Sequence, residues 1–316
     1  MLRASRGGRA GAAEVDMRAP SMLDRPPLHG AVVQLPGAPG PVAERLAWAE
    51  AALQGCFATA AGERIIVYPE ATFPGYAPGL RGGGPAAAAG ASWARAAARR
   101  SGAHIAIGLA EDDASEIVLV APDGAEWRYR KRYPTFAEAP HWRAGPRVEV
   151  AHTRLGRVGL VICADLVQPG LWAGLRGRVD LVVICAAWGD YAGRLRGAPP
   201  WRRAALGPWM RGAAAHRDRT VQAAAAALGV PVLYANACGP WQGDERFDGG
   251  SRILGPDGQL LAAVGEGGAA ALGGAGAGVA ESPLPPPRIG VQRSLQLAVG
   301  WRAFAAVHRL AARSRA

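Results

Sequence analysis

No two of the four cysteines form a C-x-x-C pair. Cys56, Cys163, Cys185 and Cys238 lie far apart, so neither a zinc site nor a dithiol redox site is indicated. Three of them are expected to be small buried hydrophobes, and no metal or cofactor is called for. No apolar run reaches the roughly 18 residues of a membrane span. The net charge is +11, yet no dense Lys/Arg run or nucleic-acid motif accompanies it. The basic surface therefore reads as solvated, with no nucleic-acid partner. Lysine is scarce and arginine greatly outnumbers it, which together with heavy use of Gly and Ala reads as compositional bias. Residues 1–27 lack the apolar core of a signal peptide. They are expected to form a flexible extension, and the protein is expected to be cytoplasmic.

The chain's 316 residues, half of them apolar, are enough for a substantial core. Order is expected from Leu28. Ala31–Leu35 reads as a strand, Val42–Thr59 as a helix with apolar residues at helical spacing, and Arg64–Tyr68 as a buried strand. The helix Ala86–Arg100 follows, then strands His104–Leu109, Glu116–Ala121 and Glu126–Arg130, the last two joined by a turn over Pro122-Asp123-Gly124. Arg157–Ile162, Asp180–Ile184 and Val232–Asn236 read as further strands, with an Ala-rich helical pattern over Trp201–Leu228, interrupted near Gly207-Pro208. Ser251–Leu254 and Gln259–Val264 form a hairpin. Strands alternating with helices argue an α/β fold, and the hairpins argue mixed sheets. Residues 281–316 read as a Pro-rich linker and a basic C-terminal helix, roughly Ser294–Arg313, with six Arg against one Glu. That helix is expected to pack at a subunit interface; contact with an anionic membrane surface is the weaker alternative.

Three strand ends carry chemistry. Glu70 follows Ile65–Tyr68 among apolar and aromatic neighbours, which raise a carboxylate's pKa and suit it to proton transfer near neutrality. Lys131 ends the strand holding Trp127 and Tyr129, and one cation in a cleft can stabilise an oxyanion. Cys163 follows Val158–Ile162, where a thiol leaves the sheet edge and needs a base or cation to become a nucleophile. Taken singly, each is more readily a structural residue than a catalytic one.

Taken in order, Glu70, Lys131 and Cys163 resemble the carbon–nitrogen hydrolase (nitrilase) superfamily. Gln34 closes the first strand as in that family. Tyr68-Pro69-Glu70 with Phe73-Pro74-Gly75-Tyr76 is similar to its base motif, Tyr129-Arg130-Lys131 to its lysine motif, and Gly156 through Asp165 to its nucleophile motif. Leu181-Val182-Val183 leading to Trp188, Tyr234-Ala235-Asn236, and Gly249-Gly250-Ser251 through Gly258 agree with the later segments, so the likeness covers about Leu28 to Val264. The resemblance implies a four-layer α-β-β-α sandwich with mixed sheets, over a domain set at 28–280, commonly paired into homodimers. It implies Cys163 as nucleophile, Glu70 as general base, Lys131 as transition-state stabiliser, Glu138 as a supporting carboxylate and the Ala164 backbone N–H in the oxyanion hole. Phe73, Tyr76, Trp188 and Tyr191 are expected to line the pocket.

The expected activity is amidase-type cleavage of a non-peptide C–N bond in a small linear amide or carbamoyl compound, through a thioester. Ala164-Asp165 stands where true nitrilases carry Trp-Glu, so nitrile hydrolysis is the less favoured branch. Val167-Gln168-Pro169 and Cys185-Ala186-Ala187 also depart from common family patterns near the pocket. A soluble N-acyltransferase and an inactive binding scaffold are the alternatives.

Overall fold

A computed structural model describes residues 26–56, 62–135, 137–190, 199–201, 203–204, 212–243, 245–264 and 278–288. The order of elements begins β1 (Leu28–Gln34), α1 (Val42–Gln54), β2 (Glu63–Val67), α2 (Gly84–Ser101), β3 (His104–Ala110), β4 (Ser115–Val120) and β5 (Glu126–Arg130). It continues with β6 (Val150–Thr153), β7 (Gly156–Ile162), a 3-10 turn over Cys163–Val167, α3 (Pro169–Leu175), β8 (Leu181–Ala186) and β9 (Gly189–Asp190). The remaining elements are α4 (Ala213–Leu228), β10 (Val232–Asn236), β11 (Cys238–Pro240), β12 (Arg246–Asp248), β13 (Arg252–Leu254), β14 (Leu260–Ala263) and β15 (Gly278–Leu284).

Two six-stranded sheets, ordered β15-β1-β2-β3-β4-β5 and β14-β13-β10-β8-β7-β6, stack face to face. Each has a parallel centre, β1-β2-β3 in one and β7-β8-β10 in the other, with antiparallel strands outside. Alternation along the strands fills two layers at once. Val32, Ile65, Val67, Ile117 and Leu119 enter the core between the sheets. Their neighbours Ala31, Val33, Ile66, Val118 and Val120 pack under α1 and α2. Burial on both faces is why these strands read as continuous apolar runs rather than as alternating ones. On the second sheet, α3 and α4 contribute Leu171, Trp172, Leu175, Val221 and Leu228 to the core. The result is the mixed-sheet α-β-β-α sandwich.

Some boundaries differ from the sequence reading. Helix α1 stops at Gln54, capped by Gly55; residues 57–61 lie outside the described residues. β6 has no counterpart in the sequence reading. β15 pairs antiparallel along the whole of β1, so the expected linker from residue 281 is corrected: the strand runs on to Leu284. Its Gly, Ser and Pro content hides it, and Pro283 is tolerated because β15 is an edge strand. The expected C-terminal helix, Tyr191 and the break near Gly207-Pro208 lie outside the described residues. Among the described residues, no helix is long and apolar enough to cross a membrane.

The parallel strands point their C-terminal ends the same way, and ligand sites of open α/β sheets gather at such ends. A small third sheet, β11-β12-β9, continues from β8 and β10 at this edge.

Candidate active site

Glu70 sits three residues beyond β2. The loop that carries it crosses β3 at Gly108, where a Cβ would lie 2.4 Å from both the Glu70 Cα and the Pro69 carbonyl oxygen. Only glycine allows that approach. The next residue, Ala71, takes φ +50°. Arg45, buried beneath the loop, donates to the carbonyls of Thr72, Ala38 and Pro36, and burial lowers its pKa to about 10. The Glu70 amide donates to the Ala186 carbonyl at 3.3 Å and Glu70 Oε2 accepts the Ala187 amide at 3.1 Å. The carboxylate is thereby fixed to the second sheet as well as to the first.

Lys131 follows β5. Its amide donates to the Ser115 carbonyl and its carbonyl accepts the Gly145 amide, both at 2.8 Å. The ammonium donates to Glu70 Oε1 at 2.8 Å and to Glu138 Oε1 at 2.6 Å. Glu138 Oε1 also accepts the Tyr76 hydroxyl at 2.5 Å, and Glu138 Oε2 accepts the Thr135 amide at 2.6 Å. All three charged side chains are essentially inaccessible to solvent. Cys163 leaves β7 with φ +42°, a conformation costly for a non-glycine residue and recurrent at functional turns. Ala164 follows it in the 3-10 turn, with the whole turn buried.

The electrostatics separate the carboxylates. Burial raises the Glu70 pKa, and the Glu138 charge adds to this, against the opposing pull of Lys131 and of the Ser115 hydrogen bond. Glu138 is lowered, because Lys131, Tyr76 and the Thr135 amide outweigh its burial. Burial works to lower Lys131, but Glu138 and Glu70 outweigh it and hold the pKa well above the usual value. Burial and the Glu70 charge push the Cys163 thiol up, with Lys131 and the Ala187 amide opposing. The resting site thus holds an ammonium–carboxylate pair, Lys131 with Glu138. Beside it stand a protonated thiol and a second carboxylate, Glu70, whose raised pKa fits it to accept a proton. Two of the ammonium's three N–H groups are engaged by the carboxylates, which leaves one for a developing oxyanion.

The expected pocket residues separate. Tyr76 meets Trp142, Trp241 and Phe247 edge-on, with centroids 5.2 to 5.7 Å apart, and its hydroxyl is committed to Glu138. Trp188 is buried, its backbone clamped by Asn236. The Asn236 Oδ1 accepts the Trp188 amide at 2.7 Å, and its Nδ2 donates to the Trp188 and Gly249 carbonyls at 3.0 and 2.8 Å. Phe73 is a correction: it belongs to the core between the first sheet and α2, over Gly90, where a Cβ would lie 2.5 Å from its ring. Its place in a motif next to Glu70 suggests the pocket; the turn after Ala71 sends it to the opposite layer. Tyr191 lies outside the described residues. Gln34 Oε1 accepts the Ser251 amide at 3.1 Å, joining the two sheets beside this clamp.

Sequence reasoning misses Ser115, whose hydroxyl donates to Glu70 Oε1 at 2.9 Å, and the clamp role of Asn236. It also misses the contact of Tyr129 with Asp165, 2.7 Å from hydroxyl to Oδ2. Only strand register could have found Ser115: it opens β4 directly opposite Ala110. Among the described residues no cluster of His, Cys, Asp or Glu could hold a metal ion.

This sandwich is shared with a known class. The sequence profile of the family described as Carbon-nitrogen hydrolase matches residues 31–271, and the chain belongs to that family. No curated protein matches the sequence. Among solved structures, the chain is similar to a cysteine-to-serine mutant of the Nesterenkonia AN1 amidase from the nitrilase superfamily. That match has 21% identity and a TM-score of 0.61, covering 84% of this chain and 94% of that one. It is also similar to a mutant of the amidase from Nesterenkonia sp. AN1 in which the acetamide moiety of fluoroacetamide is covalently added at the active-site cysteine. There the identity is 22% and the TM-score 0.60, over 82% and 90% of the two chains. A third is the butyramide complex of a cysteine-to-alanine mutant of the same amidase, at 22% identity and TM-score 0.61, over 82% and 91%.

Proposed function

We propose that the protein is a thiol-dependent amidase that hydrolyses a small linear amide through a thioester on Cys163. The observation that carries this reading is the shared ammonium of Lys131, 2.8 Å from Glu70 and 2.6 Å from Glu138, buried beside the Cys163 turn. Burial keeps the thiol protonated, so attack needs a base at the moment of reaction. Glu70 takes the Cys163 proton as sulfur bonds to the amide carbonyl carbon. The carbonyl oxygen becomes an oxyanion, stabilised by the remaining Lys131 N–H and by the Ala164 amide. Collapse of the adduct breaks the C–N bond, and the proton held by Glu70 leaves with ammonia. Water, deprotonated by Glu70, then cleaves the thioester and regenerates the thiol. Glu138 stays ionised and holds Lys131. The fold neighbours bearing acetamide and butyramide support small aliphatic amides as the first substrates to try. A homodimer is part of the same reading, by family likeness.

The test is intact mass spectrometry of the protein and of its Cys163→Ala and Glu70→Gln variants, incubated with acetamide, propionamide, butyramide and fluoroacetamide. An acyl adduct that maps to Cys163, with ammonia release in the parent and none in either variant, is expected. Turnover that survives Cys163→Ala would sink the proposal. Transfer of the acyl group to an added amine in preference to water would redirect it to an N-acyltransferase.

A further inference from the structure

Asp165 lies two residues after Cys163, and its three donors come from around Lys131. Its Oδ2 accepts the Tyr129 hydroxyl at 2.7 Å and the Arg132 amide at 3.4 Å; its Oδ1 accepts the Tyr133 amide at 2.8 Å. Asp165 is fully buried. The carboxylate therefore bridges the two sheets at the site itself, tying the 3-10 turn that begins at Cys163 to the strand end that presents Lys131. The turn has reason to need a tie, because Cys163 at φ +42° is held in a backbone region that relaxes unless its surroundings fix it.

We propose that Asp165 is a positioning residue whose carboxylate form holds the Cys163 turn in register with Lys131, so that the thiol and the oxyanion donor meet the same carbonyl group. The inference rests on the reading of Cys163 and Lys131 given above. The chemistry of the partners requires the charged form. All three are donors, two amides and a phenol that burial and Asp165 together hold protonated. A protonated carboxyl would bring a hydrogen of its own against them. Burial pushes Asp165 up to about 6, against the opposing effects of the Tyr129 hydrogen bond, the Lys131 charge and the two amides. Among the described residues, the helices packed against the turn supply no second cation for it. Helix α3 carries no charged residue, and the buried Arg217 of α4 is committed to Asp218 and Asp248. The thiol of Cys163, on its own turn, is uncharged at rest. Activity is then expected to fall on acidification as Asp165 takes up a proton, separately from protonation of Glu70.

Tyr129 separates these two titrations, since its hydroxyl goes to Asp165, whereas Glu70 is held by Lys131, Ser115 and the Ala187 amide. The experiment measures kcat and KM against pH for the parent, Tyr129→Phe and Asp165→Asn on an amide that acylates Cys163. It also measures the pH dependence of Cys163 alkylation by iodoacetamide, followed peptide by peptide. Tyr129→Phe is expected to move the acid limb of both profiles to higher pH, with KM little changed. Asp165→Asn is expected to lower kcat about 10- to 100-fold, the scale on which small misplacements act, and to lower the melting temperature as well, because its amide N–H groups meet buried donors. An acid limb that stays in place in folded Tyr129→Phe overturns the proposal; that variant carries the test if Asp165→Asn does not fold. Alkylation needs no amide turnover. If the alkylation profile shifts while no amide is hydrolysed, the positioning role stands and the amidase reading fails. If amide is turned over while both profiles stay unmoved, the amidase reading stands and the positioning role fails.

Discussion

The hydroxyl of Ser115 donates to Glu70 Oε1 at 2.9 Å across 45 positions of sequence. The carbonyl of the same serine accepts the Lys131 amide at 2.8 Å. One residue at the start of β4 thus sets the relative placement of the carboxylate and the ammonium, and it does so without a charge of its own.

Ser115→Ala removes the hydroxyl and keeps the backbone bond to Lys131. The hydrogen bond lowers the Glu70 pKa, so its loss raises that pKa further. A hydrogen bond to a charged group contributes about 1.5–3 kcal/mol, so a kcat loss of about tenfold or more is expected at neutral pH. The acid limb attributable to Glu70 should move to higher pH. Ser115→Thr, which keeps a hydroxyl, should recover most of the activity. A pH–rate series for the three proteins checks this, and an unmoved limb in Ser115→Ala would deny Ser115 its role.

Lys131→Arg tests whether charge alone suffices. Of the 36 basic Lys and Arg side chains, Lys131 is the single lysine. A chain that uses arginine everywhere else and lysine here has a local reason. The ammonium fits between two carboxylates 2.8 and 2.6 Å away in a site closed to solvent. A planar guanidinium on a longer stem cannot present donors to both and still point one at an oxyanion. The variant is expected to fold, since the ion pair with Glu138 can be kept, and to lose about 100-fold or more in kcat, the scale of a lost oxyanion donor. Steady-state kinetics with a parallel thermal melt decide it; activity within about tenfold of the parent would show that the site needs only a cation.

Legibility in the sequence follows from where information is local. Glu70 and Cys163 each follow an apolar β-branched run and Lys131 a strand carrying Trp127 and Tyr129, and their order points to a family and through it to a fold. The lone lysine is visible too, yet a general bias towards arginine accounts for its rarity without pointing to a site. Ser115, Asn236 and the Tyr129–Asp165 contact act across sheets or strand neighbours, and no local pattern marks them. Phe73 shows the converse error: adjacency to Glu70 in sequence does not give adjacency in space once φ turns positive at Ala71. β15 is hidden because its Gly, Ser and Pro content resembles a linker, and only pairing with β1 makes it a strand.

Tyr76→Phe keeps the ring against Trp142, Trp241 and Phe247 and removes the hydroxyl that donates to Glu138. Glu138 has a lowered pKa in the folded protein, so its interactions stabilise the fold above the ordinary carboxylate value of 4.5. That stabilisation is lost as pH falls through the lowered value. The Tyr76 hydroxyl is one source of it. The variant is expected to be about 1–3 kcal/mol less stable at pH 7 to 8, and the difference from the parent should shrink in acid as Glu138 becomes protonated in both. Denaturant melts at pH 7.5 and at a descending series of pH values below 4.5 are the measurement, and a difference that grows on acidification would contradict the assigned sign.

Asn236 accepts from the Trp188 amide and donates to the Trp188 and Gly249 carbonyls, so both halves of its amide are used in opposite senses. Asn236→Asp conserves shape and reverses one half. An ionised carboxylate would face two carbonyl oxygens in a fully buried place, which is repulsive in low dielectric. A protonated one could still donate to one of them. Burial and the carbonyls should therefore raise the pKa of the introduced carboxyl above its unfolded value. A raised carboxyl favours the fold at low pH and loses that advantage as pH rises through the folded value. The variant should then approach the parent in melting temperature near pH 5 and fall below it towards pH 8, with activity declining in step as Trp188 is released. Asn236→Ala removes all three of these hydrogen bonds at any pH, while the Trp188 carbonyl keeps the Asp248 amide at 3.1 Å, so its deficit should not depend on pH. Thermal melts of both variants across this range separate the two behaviours, and a pH-independent deficit in Asn236→Asp would mean that Asn236 fills space at the sheet end without clamping Trp188.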